Sequence, residues 1–428
     1  MIIEFSVTNF RSFHGSANLS LMASKDIEFI DTNTTATGIR AATRLLRTAA
    51  ILGANGSGKS NLILALATMR GMVADSAVNY KPDQKLPYFP FALDSKKEPT
   101  ELSLFFVLDG IRHHYGFRYD AERIVEEWLY VYVSAKPQQW FSRKYNIESA
   151  HYEYKTSDQL KGAKEVWQAA TRPNSLFLST CVQLNGEQLR KVYQWISGNI
   201  VFLEVRGGAP FESTIEKFSD PKDRQLIIDL MCAADFGISG VEISESKQKI
   251  HNFTFEADGT VTAASSESEI KMPLFTHTSN NGESFQFSFE NESTGTQRFF
   301  SIAGQIIDAI KNSRVLIVDE LGGSWHTLLT RRIIELFQKK SSGTSSAQLI
   351  CTTHDIALLD AYGLFRRDQL WFSRKNAAQC SELIPLNEFH PRKGEALARG
   401  YLGGRYDGVG IFDDALFDSV IRRVAPDQ

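Results

Sequence analysis

An eight-residue run, Gly53-Ala54-Asn55-Gly56-Ser57-Gly58-Lys59-Ser60, restricts what this chain can fold into more than any other feature. It fits the pattern G-x-x-x-x-G-K-[ST], follows the apolar stretch Ala49–Leu52 and precedes Asn61–Met72, whose composition is helical. The expected order is strand, loop, helix. In that setting the glycines let backbone N–H groups curl round phosphate oxygens, and the positive end of the following helix adds to the attraction. Lys59 supplies a point charge to the β and γ phosphates of ATP and Ser60 can ligate Mg²⁺, with Asn55, Ser57 and Asn61 in the same cradle. The plain alternative is a glycine-rich turn with no ligand. The complete pattern in this context favours nucleotide binding.

About 260 residues further on, Val315–Val318 runs into Asp319 and Glu320, as expected of a buried strand that delivers two carboxylates to its end. Many strands end in acids, and the assignment gains weight only from the phosphate loop. Asp319 would then complete a Mg²⁺ shell, and Glu320 would orient or deprotonate an attacking water. His354 lies 34 residues after Glu320, directly behind the β-branched and apolar stretch Leu349–Thr353. A lone histidine is usually structural, but at the end of a strand beside the acid-bearing one it can contact a γ-phosphate. Glu292-Ser293-Thr294-Gly295-Thr296-Gln297-Arg298 opens another helical stretch. Ser293 and Thr294 are capping hydroxyls and Gly295 permits close backbone approach, so this start can be a simple cap or a second anion site.

The rest of the chain divides around these motifs. Ile3, Phe5 and Val7 alternate with Glu4, Ser6 and Thr8, which predicts a strand within residues 1–13. LSLFFVL, HHYGFRY and EWLYVYV, between Glu101 and Val133, predict an antiparallel subsheet and complete a first lobe over 1–150. KGAKEVWQAA, GEQLRKVYQWI and DRQLIIDLMCAA carry helical spacing, so 151–240 is expected to be a helical insertion. Residues 241–428 then form a C-terminal lobe. It begins with β-rich segments that include an Asp258-Gly259 turn and SFQFSFE, and continues as alternating helices and buried parallel strands.

A net charge of −3 argues against a chain that is cationic overall, while leaving room for a local basic groove and hence for DNA. Cys181, Cys232, Cys351 and Cys380 are too scattered for a zinc knuckle or a disulfide framework. The opening MIIEFSVTNF is not expected to act as a targeting segment, and no run of about 18 apolar residues follows. A cytoplasmic protein with no membrane association is expected.

In the order of these motifs the chain resembles the ABC-type ATPase heads of the SMC, RecF and OLD-like group. That resemblance implies an α/β P-loop NTPase head with an antiparallel β subsheet and a short helical insertion. It also implies a homodimer or higher homo-oligomer, in which Ser293 and Gly295 of one subunit cap ATP held by the other. Ser324 and His326 match the loop that couples the two sites, and Asn9-Phe10-Arg11-Ser12-Phe13 is similar to an opening segment whose Arg11 approaches the nucleotide. More narrowly, Arg366-Arg367-Asp368-Gln369-Leu370-Trp371 and Tyr401-Leu402-Gly403-Gly404-Arg405-Tyr406 resemble compact, RloA-like AAA-family ATPases of anti-phage and toxin–antitoxin modules. The implied partners are a separately encoded nuclease or toxin and a phage protein trigger. An ATP-stabilised scaffold or antitoxin with slow turnover and a DNA-repair ATPase are the other readings. The signature reads STGTQ where transporter heads have LSGGQ, and Gly322-Gly323-Ser324-Trp325-His326 is unlike a transporter loop, so a transporter subunit is not expected.

Overall fold

The fold is described from a computed structural model that covers residues 1–203, 211–234, 236–255, 261–323, 325–338, 345–392, 394–410 and 413–424. The chain opens with β1 (Ile2–Thr8) and β2 (Ala17–Ser20), then α1 (Ile30–Asn33) and a small ribbon of β3 (Thr34–Ala36) and β4 (Arg44–Leu46). The phosphate-loop pattern joins β5 (Thr48–Gly53) to α2 (Lys59–Asp75). Five strands follow: β6 (Thr100–Leu108), β7 (Ile111–Tyr119), β8 (Ile124–Tyr132), β9 (Gln138–Asn146) and β10 (His151–Thr156). Next come α3 (Lys164–Ala170), α4 (Phe177–Gln183), α5 (Glu187–Asn199), β11 (Ile200–Leu203), α6 (Glu212–Lys217) and α7 (Pro221–Ala233). A hairpin of β12 (Ile238–Phe255) and β13 (Val261–Thr278) is continued by β14 (Ser284–Ser288). The last part holds α8 (Thr294–Lys311), β15 (Val315–Val318), α9 (Thr327–Gln338), β16 (Gln348–Thr352), β17 (Leu370–Lys375), β18 (Ser381–Pro385), α10 (Leu397–Leu402) and α11 (Asp414–Val424). Among the described residues no helix is long and apolar enough to cross a membrane.

Two sheets organise the protein, and the fold is the mixed α/β fold expected of a P-loop NTPase. One has seven antiparallel strands in the order β10-β9-β8-β7-β6-β1-β2. The other is ordered β11-β15-β16-β5-β17-β18 and is parallel except for its last strand. Strand β5 shows why the parallel sheet lies in the middle: all six of its residues are buried, and alternate side chains enter different cores. Ala49 and Ile51 join the cluster shared with the antiparallel sheet and α2, while Ala50 and Leu52 join the one formed with α8 and α9. A strand covered on both faces needs the continuous apolar run the sequence provides.

The segment 151–240 is not a helical insertion standing apart. Its β10 extends the antiparallel sheet, and β11 is the edge strand of the parallel one, in register with β15 from Ile200↔Val315 to Leu203↔Val318. Helices α4 and α5 pack against α2 inside the first core. The four residues of β11 are too short and too uniformly apolar for periodicity to separate them from the helix they follow. The Asp258-Gly259 turn lies outside the described residues.

A buried clamp fixes α4 to the antiparallel sheet. The carboxylate of Glu127 (β8) accepts from Tyr115 Oη at 3.0 Å and from the backbone N–H groups of Phe177 (2.6 Å) and Leu178 (3.0 Å). Arg143 (β9) stands 3.9 Å away and donates to the carbonyls of Ser175 and Arg172, and both charged side chains are fully buried. Burial raises the Glu127 carboxyl above its usual range despite the nearby guanidinium.

Candidate functional site

Register brings the motif residues to one edge. Strand β16 lies between β5 and β15, pairing Thr352 with Ile51 and Cys351 with both Ala50 and Val318. Because all three strands are parallel, Gly53, Asp319, Glu320 and His354 leave the sheet together at its carboxyl edge. The loop itself is tightly built. A Cβ on Gly53 would lie 2.3 Å from the Ser373 carbonyl oxygen, and one on Gly58, where φ is +114°, would lie 2.2 Å from Ser381 Oγ. Only glycine fits at these two points. Asn55 and Gly56 form the exposed crown, while Ser57 and Lys59 are buried. Lys59 Nζ donates to the carbonyls of Gly53 (2.7 Å) and Ala54 (2.9 Å), so its charge is held inside the loop, and Ser60 follows in the first turn of α2.

Across β16, Thr352 organises the acids. Its hydroxyl donates to Asp319 Oδ1 at 2.6 Å and accepts from the backbone N–H of Glu320 at 2.7 Å, while its carbonyl accepts from Leu321 N at 2.8 Å. Glu320 takes a left-handed backbone, with φ +59°. Such a conformation is costly for glutamate and is maintained here by the bonds to Thr352 on either side. His354 is exposed two residues past the strand.

Helix α8 ends just before β15 and packs against it, which sets its start at the same carboxyl edge. Ser293 is its cap: its Oγ accepts from Thr296 N at 3.1 Å. Trp325 Nε1 donates to the Gly295 carbonyl at 2.9 Å and its ring meets Phe299 edge-on. The helix start is therefore tied to the segment following the acids. Ser324 lies outside the described residues, and His326 accepts from Leu328 N through Nδ1. Ser293 and Thr294 are exposed.

Two expected contacts are placed differently. The Arg11 guanidinium lies over Phe89, 4.8 Å from the ring centre, and the Arg11 backbone N–H donates to the Phe89 carbonyl; the neighbouring Ser12 is what stands against the phosphate loop, where a Cβ on Gly58 would lie 3.0 Å from its Oγ. Asn61 turns its amide to Ser12 Oγ at 2.7 Å. Ser12, Ser373 and Ser381 all gather behind the loop, and sequence reasoning missed them, because each comes from a different segment and carries no motif.

Residues 49–360 match the family described as "AAA domain, putative AbiEii toxin, Type IV TA system". The chain belongs to this family. The match spans well over half of the sequence and takes in the phosphate loop, both acids and His354. It makes the protein an AAA-family, P-loop NTPase-type domain related to those of toxin–antitoxin and abortive-infection systems. None of the curated proteins compared with it matches.

Proposed function

We propose that two copies of this AAA protein meet head to head around two molecules of ATP with Mg²⁺ and hydrolyse them, with Ser293 and Gly295 of each acting on the nucleotide of the other. One observation carries the reading. The Lys59 loop, the Asp319-Glu320 pair and His354 converge on one sheet edge, beside an exposed helix start that Trp325 ties to the segment after Glu320. The residues suit the ligand: the compact glycine cradle, the inward Lys59 charge and the Ser60 and Asp319 oxygens form a phosphate and hard-cation donor set. Bound Mg²⁺ would supply charge neutralisation at the phosphate oxygens. Thr352 holds Asp319 in place, and the carboxylate of Glu320 takes the proton of the attacking water. His354 contacts the γ-phosphate.

In its biological setting the protein is an RloA-like ATPase of an anti-phage module. Closing and opening of the two heads controls a separately encoded nuclease or toxin in response to a phage component. The supports are the family's toxin–antitoxin character and the sequence resemblance of the 366–371 and 401–406 segments. The test is the solution mass of Glu320→Gln with and without Mg-ATP, beside Ser293→Arg in the same background. ATP should double the mass, and Ser293→Arg should abolish the change. A mass indifferent to ATP in both proteins refutes the clamp.

A further inference from the structure

Three serines behind the phosphate loop form a hydrogen-bond relay around the Ser57 carbonyl. Asn61 Nδ2 lies 2.7 Å from Ser12 Oγ, Ser12 Oγ 2.8 Å from Ser381 Oγ, and Ser381 Oγ 2.6 Å from the carbonyl oxygen of Ser57. A carbonyl can only accept, and a hydroxyl has one proton to give. Ser381 Oγ is the donor toward both the Ser57 carbonyl and Ser12 Oγ, its one proton shared between them, and the Asn61 amide donates to Ser12. Ser373 Oγ donates to the same Ser57 carbonyl at 3.0 Å, so both of its lone pairs are occupied.

The target of this relay matters more than its length. Across a planar trans peptide the Ser57 carbonyl and the Gly58 N–H point in opposite directions. Two hydroxyls that hold the carbonyl inward turn the Gly58 N–H outward, at the N-terminus of α2, where phosphate oxygens are to be met. Ser373 and Ser381 belong to the β17–β18 hairpin and grip the peptide directly, and Ser12, in the turn between β1 and β2 of the other sheet, supports that grip through Ser381. Ser381 N also donates to the Ser12 carbonyl at 2.7 Å, which ties that support to the hairpin.

We propose that Ser12, Ser373 and Ser381 are positioning residues for phosphate binding, acting through the orientation of the Ser57–Gly58 peptide. The inference rests on the reading of this loop as a nucleotide site. The test is ADP affinity by calorimetry for wild type, Ser12→Ala, Ser12→Thr and Ser381→Ala, with the thermal midpoint and the turnover at saturating ATP measured alongside. Ser12→Ala should weaken ADP about tenfold, the equivalent of one hydrogen bond. Its midpoint and saturated turnover should be little changed, and Ser12→Thr, which keeps the hydroxyl, should bind like wild type. Equal ADP affinity in wild type and Ser12→Ala overturns the proposal, as does a Thr variant as impaired as Ala or an affinity loss that follows loss of the fold. Should Ser381→Ala not fold, the half-buried Ser12 pair decides alone. Wild type that binds no ADP overturns the nucleotide reading itself, and the relay with it.

Discussion

Replacing Glu127 by alanine removes the centre of the clamp between β8, β9 and α4. Three donors lose their acceptor at once: Tyr115 Oη and the N–H groups of Phe177 and Leu178. The Arg143 guanidinium, fully buried, also loses its counter-charge. An unpartnered buried donor costs about 1–3 kcal/mol, and breaking a buried ion pair from one side about 3–5 kcal/mol. These overlap, because Arg143 keeps the Ser175 and Arg172 carbonyls and α4 can relax toward water. The expected loss is about 3–5 kcal/mol, a large part of the roughly 5–15 kcal/mol that holds a domain folded. Burial raises the Glu127 carboxyl, and the Arg143 charge and the three donors oppose that rise, so the charge pair and the hydrogen bonds both enter this loss. Urea unfolding followed by tryptophan fluorescence measures it. Glu126→Ala, on the opposite and partly exposed face of the same strand, serves as control and should change stability by less than about 0.5 kcal/mol. A Glu127→Ala loss below about 1 kcal/mol would refute the argument that this carboxylate is the keystone of the α4 attachment.

Thr352→Val keeps the shape of β16 but removes the bonds to Asp319 and Glu320, so saturated ATP turnover should fall about tenfold with nucleotide binding retained. Turnover within twofold of wild type would show that Thr352 does not position the acids. Trp325→Phe removes the bond to the Gly295 carbonyl while keeping a ring against Phe299; the ATP-driven dimer should weaken about tenfold by sedimentation, with the monomer fold unchanged by circular dichroism. Of the four cysteines, Cys232 is exposed and the others are buried, with burial pushing the Cys351 thiol up to about 12. An aromatic disulfide reagent at pH 8 should therefore label one thiol per native chain quickly and the other three only on unfolding.

How much of this was legible in advance depended on whether a function sits in contiguous residues. The phosphate loop did, because its glycines, Lys59 and Ser60 act within one turn of chain. Asp319 and Glu320 were readable because a buried parallel strand needs an apolar run and then an abrupt polar end. Strand β11 was lost because Ile200–Leu203 is only four residues long and follows α5 directly, with just Ser197-Gly198-Asn199 between the last apolar residue of the helix and the strand. Arg11 drew attention by its charge, yet the contacts to Asn61 and Ser381 beside the loop belong to the uncharged Ser12 next to it. Ser373 and Ser381 lie more than 300 residues from Ser57, and only the pairing of β17 with β5 brings them behind it.

The β12–β13 hairpin has a mechanical meaning of its own. Its base is held by β14, α7 and the buried side chains of Ile238, Val241 and Phe275. Beyond Ser246 and Ile270, the ladders of residues 247–255 and 261–269 pair, among the described residues, with each other alone. Nine residues of strand make a lever of about 30 Å. A rotation of about 10° at the base would sweep its far end through about 5 Å, enough to turn a small rearrangement beside α8 into a displacement that a second protein could feel.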